Sequence, residues 1–356
     1  MKPQDGSDKK IKRAGTGTQQ AKARKDSTQA STARKAPVRS APSRQPSVAV
    51  IGAGRLGSAL ALALSQSGYQ VVALVARRAA RARLAARALS PRPLALDATG
   101  LDSLPEAIDL ILVTTPDDQI AGVAARLAEV AGARGQGSQP PPRRHRIALH
   151  ASGALGSDAL APLAKHGYSL GSIHPLVSIN DPAGGARNLR GAFYCLEGEA
   201  HALTAARKIV RALGGRSFSL AARDKSLYHA AAVITSGHTV ALFSLAAGLL
   251  ARCGLSDARA RRVLLPLLAS TLDNLRSHAP DDALTGTFAR ADISTVRKHL
   301  KALRDAGEDG RGALAVYALL GERSLRMAAR RDKFDSSVAS EIALLLREAR
   351  GASGNE

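Results

Sequence analysis

The chain has 356 residues, 45% of them hydrophobic, and a formal net charge of +22. That length accommodates two domains with tails, and with only 3% aromatic residues and no Trp the core has to be built from Leu, Ala, Val and Ile. Two cysteines, Cys195 and Cys253, exclude a disulfide framework and a cysteine-based metal site, and they fit a reducing cytoplasm.

Residues 1–46 hold twelve basic and three acidic side chains and almost no bulky apolar group. Such a stretch cannot supply a core and reads as a disordered basic extension, either simply solvated or a weak tether for polyanions. It has no apolar segment of the signal-peptide kind. No zinc finger and no aromatic–basic interleaving accompany the charge, so no specific nucleic-acid partner is expected.

Residues 47–63 read SVAVIGAGRLGSALALA. An apolar run over 48–51 suits a buried strand, a glycine turn follows, and a helix opens at Ser58. This is the strand, turn and helix of a dinucleotide site. Gly52 permits the tight turn, Gly54 lets backbone approach a pyrophosphate, and Gly57 lets helix lie close to strand. Gly52, Gly54, Arg55, Leu56 and Gly57 are therefore the expected pyrophosphate-binding residues, with the positive end of the helix facing the phosphates.

A second strand over 71–75 ends at Arg77 and Arg78, where an NAD-preferring site would carry an acidic residue for the ribose hydroxyls. Arginine there offers a charge-assisted clamp for a 2′-phosphate, which favours NADP(H) over NAD(H). The alternative is that both arginines only begin the exposed face of a helix over 79–89. A short strand over 94–96 and a short helix over 104–107 are expected next. Residues 110–113 form a continuous apolar run of the central parallel kind. Thr115 and Pro116 at its end belong near the cofactor, and Asp117 or Asp118 can cap a helix over 119–130. A surface loop over 131–146 leads to a strand over 147–149, which ends in His150-Ala151-Ser152-Gly153-Ala154.

A largely helical 155–165 and a strand over 168–173 are followed by His174-Pro175-Leu176. A loop over 180–191, a strand over 192–196, a helix over 200–213 and a last strand over 217–220 complete the first pattern. From residue 222 long helices take over: 223–253, 257–278, 293–306, 311–330 and 336–350. The most apolar stretch, 230–251, contains Thr235, Ser236, His238, Thr239 and Ser244 and reads as a buried helix of a helical domain, not as a membrane span. The domain expectation is therefore a dinucleotide-binding α/β domain over 47–220, a helical domain over 221–350 and a frayed tail over 351–356.

Lys225, His229 and Ser152 are the candidate catalytic residues. Lys225 and His229 are four apart on one helical face, where a lysine can donate to a substrate oxygen and a histidine can exchange a proton near neutral pH. Ser152 and His174 stand at strand ends. Each has a structural alternative: an exposed helix-start lysine, a packed histidine, a turn residue. Arg290 can hold a substrate anion bidentately or pair with Asp292. No ligand spacing for a metal and no phosphate-binding loop of the GxxxxGK kind occur.

These stretches together resemble the Rossmann-like proteins with a DUF2520 domain. The resemblance rests on 50–57, on Thr115-Pro116-Asp117, on 150–154, on His174-Pro175-Leu176, on Lys225-Ser226-Leu227-Tyr228-His229-Ala230-Ala231-Ala232-Val233 and on 284–292. More distantly the chain is similar to pyrroline-5-carboxylate reductase, ketopantoate reductase, prephenate dehydrogenase and 3-hydroxyisobutyrate dehydrogenase. The resemblance implies a Rossmann domain joined to an all-helical domain, a homodimer formed through the helical part, and hydride transfer between nicotinamide and a small carbonyl, hydroxyl or imine substrate; the positive side chains of Lys225, His229 and Arg290 point to one that bears a carboxylate. It places Lys225 where hydroxyacid dehydrogenases carry a substrate-orienting lysine. Gly237 and Thr287 stand where relatives often have Asn and Pro. A non-enzymatic NADP-binding sensor or scaffold is the alternative.

Overall fold

The computed structural model describes residues 46–135, 146–331 and 336–351. The expected basic extension lies outside the described residues except for Pro46, as do most of the expected frayed tail and most of the expected loop over 131–146.

Eight strands make one sheet: β1 (Ser47–Ile51), β2 (Gln70–Ala76), β3 (Leu94–Asp97), β4 (Leu110–Val113), β5 (Arg146–His150), β6 (Tyr168–Pro175), β7 (Phe193–Gly198) and β8 (Arg216–Ser219). Their order is β3-β2-β1-β4-β5-β6-β7-β8. Every pairing is parallel except β6 with β7, which is antiparallel. The chain direction across the sheet reverses between β1 and β4, and in open sheets of this kind ligands bind beyond the carboxyl ends at that point.

Both faces of the sheet are covered, which is why its strands read as continuous apolar runs. Alternate residues point to opposite faces. Val48, Val50, Leu110 and Leu112 join one core with α1 (Arg55–Gln66), α4 (Pro182–Leu189) and α5 (Ala200–Ala212). Ala49, Ile51, Ile111 and Val113 join the other, with α3 (Asp117–Gly135) and the 3-10 helix Ser157–His166. Helix α2 (Ala79–Ala86) packs beside β2 and β3.

The helical region comprises α6 (Lys225–Thr235), α7 (Gly237–Arg252), α8 (Asp257–Ser277), α9 (Pro280–Ala283), α10 (Ile293–Asp305), α11 (Gly307–Ala328) and α12 (Ser336–Gly351). Val296, Leu300, Leu314, Ala318, Ile342 and Leu346 give α10 to α12 a core of their own. Helices α6 to α8 have no comparable core: α7 buries no residue and α8 buries only Ala260.

Several local expectations are corrected. No helix forms over 104–107; a 3-10 turn precedes it at Gly100–Ser103, and Pro105 holds Leu104 extended at ψ 142°. The helix expected over 155–165 is a 3-10 helix with Pro162 inside it. The loop expected over 180–191 contains α4, with Asp181 accepting from the Gly184 N–H at 2.8 Å and Pro182 in the first turn. Gly185 serves packing: a Cβ there would lie 2.9 Å from the Ala59 Cβ on α1. Asp117 and Asp118 lie in the first turn of α3, not before it, and α3 runs on to Gly135. The helix expected over 223–253 breaks at Ser236, which separates His229 on α6 from His238 on α7. The apolar stretch 230–251 is not buried; most of it faces outward among the described residues. Cys195 is buried as expected, whereas Cys253 is exposed.

Candidate active site at the carboxyl ends of the strands

The glycine turn is shaped by close approach. Gly52 has φ 113°, a conformation that favours glycine, and a Cβ there would lie 2.7 Å from the Thr114 carbonyl carbon. A Cβ on Gly57 would overlap the Gly52 carbonyl oxygen and Thr114 Oγ1. The N–H groups of Gly52 and Ala53 both donate to the Val75 carbonyl at 2.8 Å, and Thr114 Oγ1 donates to the Gly52 carbonyl at 2.8 Å. The turn is thus pinned to β2 and β4. Gly54 is different: its side-chain direction is open, with the Gly52 oxygen 4.0 Å away as the nearest atom. No side chain caps α1 and no acidic residue occupies its first turn. Its leading N–H groups are left for an anion, and the open face at Gly54 gives that anion access, so the turn fits a pyrophosphate.

Around the turn, Arg55 is exposed and Leu56 half-buried. Arg77 and Arg78 are exposed directly beyond β2. Asp97 pairs in register with Ala76, and its carboxylate accepts from the Thr99 N–H and hydroxyl, which hold it below its ordinary pKa. Pro116 is exposed ahead of α3. Thr115 Oγ1 is buried with no hydrogen-bond partner.

Beyond β5 the polar groups are saturated. His150 is buried; its Nδ1 accepts from the Ser152 N–H at 3.2 Å and its Nε2 donates to the Gly156 carbonyl at 2.8 Å. Burial, with the Lys225 charge as a smaller cause, holds its pKa below the ordinary value. The Ser152 hydroxyl donates to Asp117 at 2.8 Å and accepts from the N–H groups of Ala154 and Leu155 at 3.1 and 3.0 Å. Lys225, 0% exposed, donates from Nζ to the Ser152 carbonyl at 3.0 Å and to Ser172 Oγ at 2.6 Å. Ser172 passes a hydrogen bond to Glu197 at 3.3 Å, and Glu197 also accepts from the N–H and hydroxyl of Ser157, both at 2.8 Å. Burial lowers the Lys225 pKa, opposed first by the Glu197 charge. Lys225 is therefore not the exposed helix-start lysine of the structural alternative, and it is not open to a ligand either. It ties α6 to the turn after β5.

The third cluster is aromatic. His174 Nδ1 and the Tyr228 hydroxyl are 2.7 Å apart. The His174 ring stands edge-on to Tyr228 and to His229, with centroids 5.6 and 5.4 Å away. Gly153 makes this possible: a Cβ there would overlap His229 Nδ1 and lie 2.9 Å from His174 Nε2. Burial, then repulsion from His229 and Lys225, lowers the His174 pKa to about 4, with Asp117 opposing. His229 Nδ1 is buried with no partner. A cavity of about 670 Å³ adjoins the turn after β5, lined in part by Asp117, Ala154, Gly156 and Arg223.

Arg290 is exposed next to Asp292. Asp292 caps α10, accepting from the Thr295 N–H at 3.0 Å and hydroxyl at 2.7 Å; these bonds, and less strongly Arg290, lower its pKa. The surrounding turn is held to α11, with Phe288 against Tyr317 and Arg331 donating to the Leu284 carbonyl at 2.6 Å. The Arg290 charge thus acts on Asp292 and is not among the charges that shift His174.

The glycine turn and the histidine pair come from two matched regions. Residues 32–175 match the Rossmann-like domain, and residues 192–324 match DUF2520, a domain of unknown function. The chain belongs to the Rossmann-like, DUF2520-containing proteins. No curated protein matches it. Among solved structures it is similar to a Bacteroides fragilis protein provisionally named an NADP oxidoreductase, at 22% identity and TM-score 0.63 over 80% of this chain and 99% of that one. It is also similar to the Thermotoga maritima protein TM1727, at 22% identity and TM-score 0.53 over 86% and 98% of the two chains. A 1-pyrroline-5-carboxylate reductase from Streptococcus pyogenes aligns at 16% identity and TM-score 0.50 over 87% and 100%. These likenesses establish the shared fold. In this family member the Rossmann match contributes the glycine turn, Thr115, Ser152 and His174, and the DUF2520 match contributes Glu197, Lys225, Tyr228 and His229.

Sequence reasoning missed Glu197, Ser172 and Tyr228. Glu197 carried a signal, a lone acid closing the apolar run Tyr194-Cys195-Leu196. Tyr228 carried only its place beside His229 in the 225–233 stretch that bears the resemblance.

Proposed function

We propose that the protein is an NADP(H)-dependent oxidoreductase that transfers hydride between nicotinamide and a small carbonyl, hydroxyl or imine substrate. The observation that carries this reading is the pair of buried polar atoms without partners, Thr115 Oγ1 beyond the end of β4 and His229 Nδ1 on α6, together with the uncapped glycine turn. Buried polar atoms are almost always satisfied, so two such atoms in one crevice point to a ligand. The protein named for NADP among the solved structures with this fold agrees with it.

In this reading the backbone of Gly52, Gly54, Arg55, Leu56 and Gly57 holds the pyrophosphate. Arg77, assisted by Arg78, holds the adenosine 2′-phosphate, and Thr115 and Pro116 border the nicotinamide. A bound nicotinamide supplies or accepts the hydride. His229 gives a proton from Nδ1 to the substrate oxygen or nitrogen on reduction and takes it back on oxidation, while His174 lies alongside. Ser152 and Lys225 act by holding the turn after β5 in place. The contacts of Arg290 give no support to a carboxylate anchor, so the reading stops at the carbonyl or imine group.

The working form is a cytoplasmic homodimer built through α6 to α8. Leu227, Ile234, Val240 and Leu267 are 78, 61, 70 and 64% exposed, and a face of that kind calls for a partner. Residues Ala222–Arg252 are long and apolar enough to cross a membrane by length and composition, with 6% of the window buried. The break at Ser236 and the docking of Lys225, Tyr228 and His229 against the sheet favour a second copy over lipid. The full engagement of Lys225 and Ser152 favours, as a second reading, a cofactor-binding sensor without turnover. Both readings are tested by following reduced-nicotinamide absorbance against a panel of small ketones, aldehydes and imines. Turnover lost in His229→Gln supports the enzyme. Cofactor binding without turnover on any substrate supports the sensor.

A further inference from the structure

Tyr228 has no role in the proposed hydride transfer, yet its side chain meets residues of three strands. Its ring stands edge-on to Phe218 of β8, centroids 5.8 Å apart, and edge-on to His174 of β6. Its hydroxyl lies 2.7 Å from His174 Nδ1 and is also hydrogen-bonded to the buried Cys195 of β7. A hydroxyl has one hydrogen to give. An unprotonated imidazole nitrogen is a far better acceptor than a thiol sulfur, and a thiol can return its own weak hydrogen bond to the hydroxyl oxygen. The groups facing His174 are Tyr228, His229, Lys225 and Asp117; burial, His229 and Lys225 keep it neutral near pH 7 against the opposing Asp117 charge. A neutral imidazole has one nitrogen that accepts and one that donates.

We propose that Tyr228 is a positioning residue: it donates to His174 Nδ1 and so locks His174 as the Nε2–H tautomer, presenting a fixed donor beside the unpartnered Nδ1 of His229. Both nitrogens converge on the space left free by the missing Cβ of Gly153. Its use in catalysis rests on the oxidoreductase reading; the tautomer itself does not. In reduction, hydride reaches the substrate carbon and the carbonyl oxygen or imine nitrogen accepts a hydrogen bond from His174 Nε2–H. That atom takes its proton from His229 Nδ1, and the electron pair of the former double bond forms the new O–H or N–H bond. His174 orients the reacting atom and loses no proton, so one imidazole binds and the other transfers.

The test is long-range nitrogen–carbon-proton NMR of the imidazole rings in the full chain at neutral pH, with the His174 signals identified by their loss in His174→Gln. Wild type is expected to show a single Nε2–H form for His174. Tyr228→Phe keeps the ring but removes the hydrogen, and is expected to shift both ring nitrogens toward the averaged values of an unlocked imidazole. Cys195→Ala is expected to leave the wild-type pattern unchanged. An Nδ1–H form in wild type, wild-type shifts retained in Tyr228→Phe, or a lost pattern in Cys195→Ala would each overturn the proposal. If Tyr228→Phe does not fold, the wild-type and Cys195→Ala spectra still decide it. Calorimetric titration of the same wild-type sample with NADPH separates the two readings: absent binding sinks the cofactor assignment and leaves the tautomer result standing.

Discussion

Two residues apart on α6, Lys225 is 0% exposed and Leu227 is 78% exposed. The first belongs to a sheet-facing edge where nearly every polar atom is matched, from Asp117 through Ser152 to Glu197. The second belongs to an outward face, continued on α7 and α8, where large apolar side chains stand exposed among the described residues. The contrast with α10 to α12, which close a core among themselves, sharpens the point. The sheet half is finished within one chain. The front of the helical half is left exposed, which is why a second copy is proposed to cover it, and the crevice lies where the sheet and helical halves meet.

Breaking the outward face should have the largest effect. The double variant Ile234→Glu with Leu267→Glu is expected to convert a dimer wholly to monomer in sedimentation velocity, with the sheet's circular dichroism retained. A wild type that sediments as a monomer at every concentration would remove the second copy from the account. Next comes the inward edge. Lys225→Met removes the donor to the buried Ser152 carbonyl and Ser172 hydroxyl, and a buried polar group left unpaired costs about 1–3 kcal/mol. Chemical denaturation should show that loss.

Proton linkage sharpens the same edge. The His174 pKa of about 4 lies below that of an unfolded histidine, so the unfolded chain binds the proton first as pH falls. The contribution is complete above the unfolded value of about 6.5 and is lost between there and the folded value, at most about 3 kcal/mol in all. His174→Gln should flatten the stability profile in that window. An unchanged slope would mean that the buried environment of His174 is wrong. The smallest effect belongs to the exposed rim: Arg77→Glu should weaken NADPH about 10- to 100-fold, the worth of one charged hydrogen bond, and leave NADH nearly unchanged.

What the sequence revealed depended on whether the cause was local. Glycine spacing, apolar runs and strand-end residues are local, so the turn at Gly52, the order of alternating strands and helices, and the positions of His150, Ser152 and His174 at strand ends were legible. Asp181-Pro182 was also a local signal, a cap and a first-turn proline, but Gly184 and Gly185 after it masked α4; the reason for Gly185, contact with α1, is tertiary. The partners of Lys225 were not legible. Its ammonium meets Ser152 and Ser172, 73 and 53 residues away, and no spacing along the chain encodes that meeting. Arg290 acts locally, on Asp292 two residues on. Burial of 230–251 was misjudged because hydrophobicity states that a surface must be covered, not which molecule covers it.

The central claim is that the crevice between the Gly52 turn and the histidine pair is a nicotinamide dinucleotide site. Titration calorimetry of the full chain with NADPH and NADH tests it most directly. The account predicts saturable binding of one NADPH per chain, tighter than NADH. No heat of binding from either cofactor would contradict it.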